Sequence, residues 1–309
     1  MLVALGRKSL GGADVIAASV LERAFLAYVT RRRELPLDSQ FLARAAGPPD
    51  RCGHLVIVVE GTLAIAGGAT TGAPVAIVVE DTEYERVERG RSRTFAILGA
   101  SHGASDGASD GAISDTTAFV QLRFAIDHLR VPVGLAHGAH ALDPATAAAA
   151  RRVIADADAE TIGAASFVPL LDALGAAGLV APGLARTIVD DEPERFARLW
   201  AAIRPLYAEL AAASSLKEIS TGLDLSLRQL ARDAAEAAQT FNIPAEGFRD
   251  ITHLLRLRSA VMWLGAPRAA VAEVAEMVGY GSSIAMGRAF RDAGLPPPSE
   301  IRAAMRPAR

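Results

Sequence analysis

Arg288 and Arg291 follow Ile284 at intervals of four and seven residues, so on a helix of about 3.6 residues per turn the three side chains share one face. Guanidinium groups placed in this way present planar forks of donors that suit phosphates and the paired acceptors of a guanine edge, and an isoleucine beside them suits a thymine methyl. Ala285, Gly287 and Asp292 flank this face. Ser282 and Ser283 precede it, where a hydroxyl can satisfy orphan helix amides and also meet a phosphate.

Other residues must hold that face outward. Met286, Ala289, Phe290 and Ala293 recur at i, i+3, i+4 and i+7 and predict the buried side of the same helix. Upstream, Val271, Val274, Ala275 and Val278 predict a shorter helix, and Gly279-Tyr280-Gly281 breaks it. Two helices joined by so short a turn form a helix-turn-helix. Leu216, Ile219, Ser220 and Leu223 begin a second such unit, with a break over Gly222 to Leu225 and a cap at Ser226. Its following helix is expected to bury Leu227, Leu230, Ala231 and Ala234 and to present Arg228, Gln229 and Arg232. Leu254, Leu255, Arg256, Leu257 and Ala260 mark a long helix joining the two units.

This pattern resembles the AraC family of bacterial transcription regulators. The matching residues are Arg256-Leu257, Ala260 and Leu264, then Val271, Val274-Ala275, Val278-Gly279-Tyr280, Ser282, Arg288, Phe290-Arg291, Pro298 and Ile301-Arg302. The resemblance spans roughly the last 95 residues, the size of one small module. Met286 and Ala234 stand where the family usually has aromatic residues, Gly294 sits one position early, and Thr240 to Gly247 is longer than usual. The resemblance implies sequence-specific binding of double-stranded DNA through Ser226, Arg228, Gln229, Arg232, Ser282, Ser283, Ile284, Ala285, Gly287, Arg288 and Arg291. It implies structural roles for Arg256, Gly279 and Phe290. A small-molecule effector, RNA polymerase and a second copy of the chain are further candidate partners.

The formal net charge of −3 argues against a general polyanion binder. From Ser214 onward, however, 12 Lys and Arg stand against 10 Asp and Glu, leaving 20 against 25 in the preceding residues, so the C-terminal third is the better nucleic-acid candidate. The single cysteine, Cys52, excludes an internal disulfide and fits a reducing cytoplasm. The first twenty residues read as neither a signal peptide nor a membrane span, because Gly, Lys and Asp interrupt their apolar runs.

The first 45 residues are expected to be helical, from Ala17, Leu21, Ala24, Phe25 and Tyr28, with Arg31-Arg32-Arg33 as a solvated helix end and Gly47-Pro48-Pro49 as a terminator. From Cys52 to about Ile126, runs such as HLVIVVEG, PVAIVVED and TAFVQLRFAI predict short antiparallel strands in a sandwich or jelly roll. His54, His102 and His128 are too scattered to seat a metal. His137 and His140 read as surface residues of a loop without a third ligand, and Gly103 to Ala112 as a low-complexity strand connection. Asp143-Pro144 then opens a helical region, in which Trp200, Ile203 and Tyr207 form an apolar stripe expected to be either core or a dimer seam.

The expected class is α+β: a β-rich, cupin-like sensor at residues 1–140, a helical linker and dimerisation region at 141–212, and an all-α domain of two helix-turn-helix units at 213–309. The expected function is a cytoplasmic DNA-binding regulator without cofactor or catalysis. A cupin-type enzyme, or an interaction module with a degenerate DNA reader, is the alternative.

Overall fold

Gly11 and Gly12 take left-handed backbone angles, φ 57° and 85°, that a residue with a Cβ seldom adopts. This two-residue turn folds Leu2–Leu10 (β1) back on Ala13–Leu21 (β2), and Phe25–Arg33 (β3) extends the meander. The computed structural model describes residues 1–33, 37–38, 53–65, 70–72, 75–80, 95–98, 116–124, 138–188, 194–209, 216–223, 225–241, 243 and 245–304. The helix expected at the start of the chain is therefore corrected to three strands, and Arg31-Arg32-Arg33 ends a strand. Burial on both sides of the sheet explains the error. Every residue from Ala17 to Leu21 is buried, which erases the polar alternation that marks a half-exposed strand.

The remaining strands are β4 (Leu37–Asp38), β5 (Gly53–Glu60), β6 (Thr62–Ile65), β7 (Thr70–Gly72), β8 (Val75–Glu80), β9 (Phe95–Leu98), β10 (Thr116–Phe124) and β11 (Gly138–Ala141). A seven-stranded sheet has the order β1-β2-β3-β10-β5-β8-β11, and a four-stranded sheet the order β4-β9-β6-β7; every pairing is antiparallel. His140 lies on β11, opposite Ala76, which corrects its placement in a loop. Cys52, His102, His128, His137, Gly47-Pro48-Pro49 and Gly103 to Ala112 lie outside the described residues.

Nine α-helices are described, with a short 3-10 helix at Leu184–Thr187: α1 (Pro144–Asp158), α2 (Ala164–Ala176), α3 (Glu194–Ala208), α4 (Leu216–Leu223), α5 (Leu227–Thr240), α6 (Phe248–Leu264), α7 (Val271–Met277), α8 (Ser283–Asp292) and α9 (Pro298–Ala304). Asp143 starts α1 by accepting from the amides of Ala145 and Thr146 at 2.9 and 3.0 Å, and the Thr146 hydroxyl also donates to it. These bonds, the hydroxyl's first, hold its carboxyl below the ordinary value.

Alternation along the strands splits the large sheet into two buried faces. Val20, Phe25, Val29, Leu55, Ile57, Val120 and Phe124 pack with Val153, Phe167, Leu170 and Leu174 of α1 and α2. Phe25 lies 5.4 Å from Phe167 and 6.4 Å from Phe124, ring centre to ring centre. The other face carries the C-terminal helices on two apolar patches. Ala13, Val15, Ala17, Val56, Val58 and Phe119 pack with α6 to α9, whereas Leu2, Ala4, Leu21 and Leu26 pack with α3, α5 and the start of α6.

Trp200, Ile203 and Tyr207 belong to the second of these patches and are 4%, 2% and 3% exposed. Their place as a dimer seam is corrected. The sheet and α5 already cover the stripe, so among the described residues it leaves no apolar face there for a second copy.

Candidate nucleic-acid interface

The two helix-turn-helix units are built by the same local chemistry. In the first, α4 ends in a turn closed by the Leu225 amide on the Ser220 carbonyl at 3.1 Å and by the Ser220 hydroxyl on the Leu225 carbonyl at 2.6 Å. In the second, Gly279 adopts φ 87°, its amide bonds the Glu276 carbonyl, and the Tyr280 amide reaches back to the Ala275 carbonyl at 2.8 Å. That pair of bonds satisfies the orphan carbonyls of α7 and requires a residue at ease with positive φ. The serines behave as their spacing implies. Ser226 accepts from the Gln229 amide and Ser282 from the Ala285 amide, each at 3.1 Å.

These matching caps put the outward helices in register. Six residues after each cap stands an arginine, Arg232 on α5 and Arg288 on α8, and both are exposed. Arg228, Arg291, Ser226, Ser282, Ser283 and Ala285 are exposed as well, and Gly287 is half-buried with open space where a Cβ would go. Ile284 is 69% exposed. The inward side of α8 follows the expected pattern, with Met286 and Phe290 fully buried. Met286 thus fills as core the place where an aromatic residue was expected.

The first unit differs from its expectation. Leu230 and Ala234 are fully buried, but Ala231 is exposed and Leu227 is 49% exposed. The cap explains this. Leu227 is the first helical residue after Ser226, and it precedes the turn that the core covers. Gln229 is not free for a base: its amide nitrogen donates to both Asp233 oxygens, at 2.9 and 3.1 Å. Arg232 also leans on Asp233, Nε to Oδ1 at 3.7 Å. Sequence reasoning missed Asp233 as part of this face; its signal is its place one helical turn beyond Gln229.

The connecting helix α6 ties the units together. Ile251 and Leu255 pack with the first unit, and Leu257, Ala260, Val261 and Leu264 with the second. Arg256 is half-buried with its guanidinium carbon 6.0 Å from the Tyr280 ring centre, so it braces the turn of the second unit. Burial pushes the Tyr280 hydroxyl up to about 12, against the pull of Arg256. His253 on the same helix is held below the ordinary imidazole value, first by burial and then by Arg256, with Asp250 opposing.

Among the described residues no three His, Cys, Asp or Glu side chains come together as a metal site, and no helix is long and apolar enough to cross a membrane. No protein-family model matches the chain, and no curated protein matches it. Among solved structures it is similar to ToxT from Vibrio cholerae at 1.65 Å resolution, with 9% identity and a TM-score of 0.38 over 92% of this chain and 100% of that one. It is similar to ToxT with an unsaturated fatty acid bound, at 9% identity, a TM-score of 0.34 and coverage of 92% and 96%. The AraC-like transcriptional activator CuxR aligns over 83% of both chains at 12% identity and a TM-score of 0.28. At these identities and TM-scores the likenesses carry no functional argument, and the residues of this chain carry the reading.

Proposed function

We propose that the chain is a transcription regulator of the AraC type whose residues 213–309 read double-stranded DNA with α5 and α8. One observation carries the reading. Among the described residues the exposed large hydrophobics are Leu227 and Ile284, and each stands in the first turn of an outward helix. A lone exposed leucine is ordinary, but two at matching ends of paired helices, each on a helix with an arginine at the same offset from its serine cap, form a contact surface. In a major groove those positions meet thymine methyls and guanine edges, and the serine hydroxyls and uncapped helix-end amides meet phosphates. Two helices docked on one face of a duplex reach grooves about 34 Å apart.

Asp233 favours an unequal division of labour. Its carboxylate engages Gln229 and Arg232, so α5 reads bases more weakly than α8. The β-rich residues 1–140 act as the effector-responsive part in this reading, with 141–212 as the connection. An effector shifts DNA affinity only by its differential affinity for the two arrangements of sheet and reader. The protein works in the cytoplasm, as a homodimer on paired sites and in contact with RNA polymerase.

The test is selection of bound duplexes from a random-sequence pool by the full-length protein. Enriched duplexes should share two sequence elements about one helical turn apart, with the stronger element at the α8 end. A pool that stays random after repeated rounds would reject the DNA-reading function.

A further inference from the structure

On the sheet face that carries the helix-turn-helix units, Ser19, Tyr28, Gln121 and Val56 stand side by side across four adjacent strands. This row is polar over three of its strands, and it runs between the two apolar patches. Ala17, Phe119 and Val58 on one side belong to the patch under the second unit; Leu21 and Leu26 on the other side belong to the patch under the first. Helix α6 crosses the same boundary between Leu255 and Leu257.

Arg258 sits at that crossing. Its guanidinium carbon lies 3.4 Å from the Tyr28 ring centre, and its Nη1 donates to Gln121 Oε1 at 3.2 Å. Tyr28 and Gln121 are register partners on β3 and β10, so one side chain from α6 grips two strands. Among the described residues no carboxylate pairs with it. Burial holds its guanidinium below the ordinary value, and burial first, with Tyr28 next, pushes the neighbouring Tyr207 hydroxyl up.

Arg258 is half-buried, and a guanidinium partly withdrawn from water without a carboxylate is a poor way to gain stability; an apolar residue of similar volume often packs at lower free energy. What the arginine supplies is position. The apolar contacts around it, many of them alanine and valine, tolerate sliding, whereas a planar fork stacked on one ring and bonded to one amide has a single good placement.

We infer that Arg258 is a positioning residue for DNA reading: it fixes α6 on the sheet, and with it the placement of both helix-turn-helix units relative to the sheet and to each other. The inference rests on the DNA-reading function proposed above. It predicts that Arg258 governs tolerance to the spacing of the two DNA elements rather than the strength of either contact.

Full-length wild type, Arg258→Met and Arg258→Lys would be compared by amide hydrogen exchange and by titration with a selected duplex and the same duplex carrying one inserted base pair. Arg258→Met should keep its circular dichroism, exchange the α6 amides about tenfold faster, and lose roughly threefold or more of its preference for the native spacing. Arg258→Lys, which keeps the charge without the flat fork, should fall between. A packing role alone would move the unfolding midpoint and leave the spacing preference intact. Unchanged exchange, or an unchanged preference in a folded Arg258→Met, overturns the inference. If that variant does not fold, Tyr28→Leu removes the stacking partner and gives the same readouts. A wild type that selects no duplex defeats the DNA reading by itself, and the exchange rates of the variants then decide whether Arg258 fixes α6.

Discussion

Replacing Arg288 by alanine should weaken binding to a selected duplex more than replacing Arg232, although the two occupy the same offset on paired helices. Arg288 is exposed and, among the described residues, has no carboxylate partner, so its donors can meet a guanine edge directly. Losing such a contact costs about 1–3 kcal/mol, roughly five- to 150-fold in affinity. Arg232 begins from a pair with Asp233 at 3.7 Å, with its side chain 70% exposed. Breaking so exposed a pair offsets about 0–1 kcal/mol of whatever Arg232 gains on DNA. The nearby carboxylate also repels phosphates. Arg288→Ala should therefore cost several-fold more affinity than Arg232→Ala. Both side chains lie in solvent, so each substitution should change stability by no more than about 0.5 kcal/mol, which a thermal melt would verify. The assay is fluorescence anisotropy at several salt concentrations, with the selected duplex and a scrambled one. A base-reading arginine loses affinity mainly on the selected duplex, whereas a phosphate contact loses it equally on both and lowers the salt slope by about one. A larger loss at Arg232, or an Arg288→Ala protein that binds the selected duplex like wild type, would refute the asymmetry.

Asp233→Asn should tighten DNA binding at low salt, because it removes a negative charge and loosens Gln229 and Arg232; weaker binding would show that Asp233 orders the face instead. Gly11→Ala should destabilise the fold by about 1–3 kcal/mol in urea unfolding, since a Cβ there would clash with the Ala269 backbone amide and φ is positive. His253 binds a proton less readily folded than unfolded, so its contribution to stability is present above the ordinary value of 6.5 and is lost as pH falls below it. His253→Gln should accordingly flatten the loss of unfolding midpoint between neutral and mildly acid pH, and an unchanged profile would place the acid sensitivity elsewhere. Trp200→Asp should cost the fold rather than a dimer, because it would bury an unpaired carboxylate in a site that is 4% exposed. A folded variant whose mass shifts from dimer to monomer would contradict that placement.

The C-terminal units were legible because their signals are local. A serine cap, a glycine that tolerates positive φ and an apolar period of 3.6 each act within a few residues, so Ser226, Gly279, Ser282, Met286 and Phe290 could be placed one helix at a time. Leu227 and Ala231 escaped the same logic because a periodic stripe says which residues align, not where along the helix the core stops covering them. Asp233 escaped because its weight lies in the two side chains it holds.

The N-terminal meander shows the opposite case. The Gly11-Gly12 turn was in plain view, but burial of both sheet faces removed the polar alternation from β2, and a helical period fitted the remainder. Which face of that sheet would receive the helix-turn-helix units, that Trp200, Ile203 and Tyr207 would be covered within the chain, and that Arg258 would stack on Tyr28 were decided by tertiary structure alone. The strands and helices concerned lie far apart in sequence, and their contacts depend on how two apolar patches and a polar row meet across a sheet. Local periodicity carries the first kind of information because caps and turns are short-range. It carries none of the second, because the partner that buries a face contributes nothing to the pattern of the face itself.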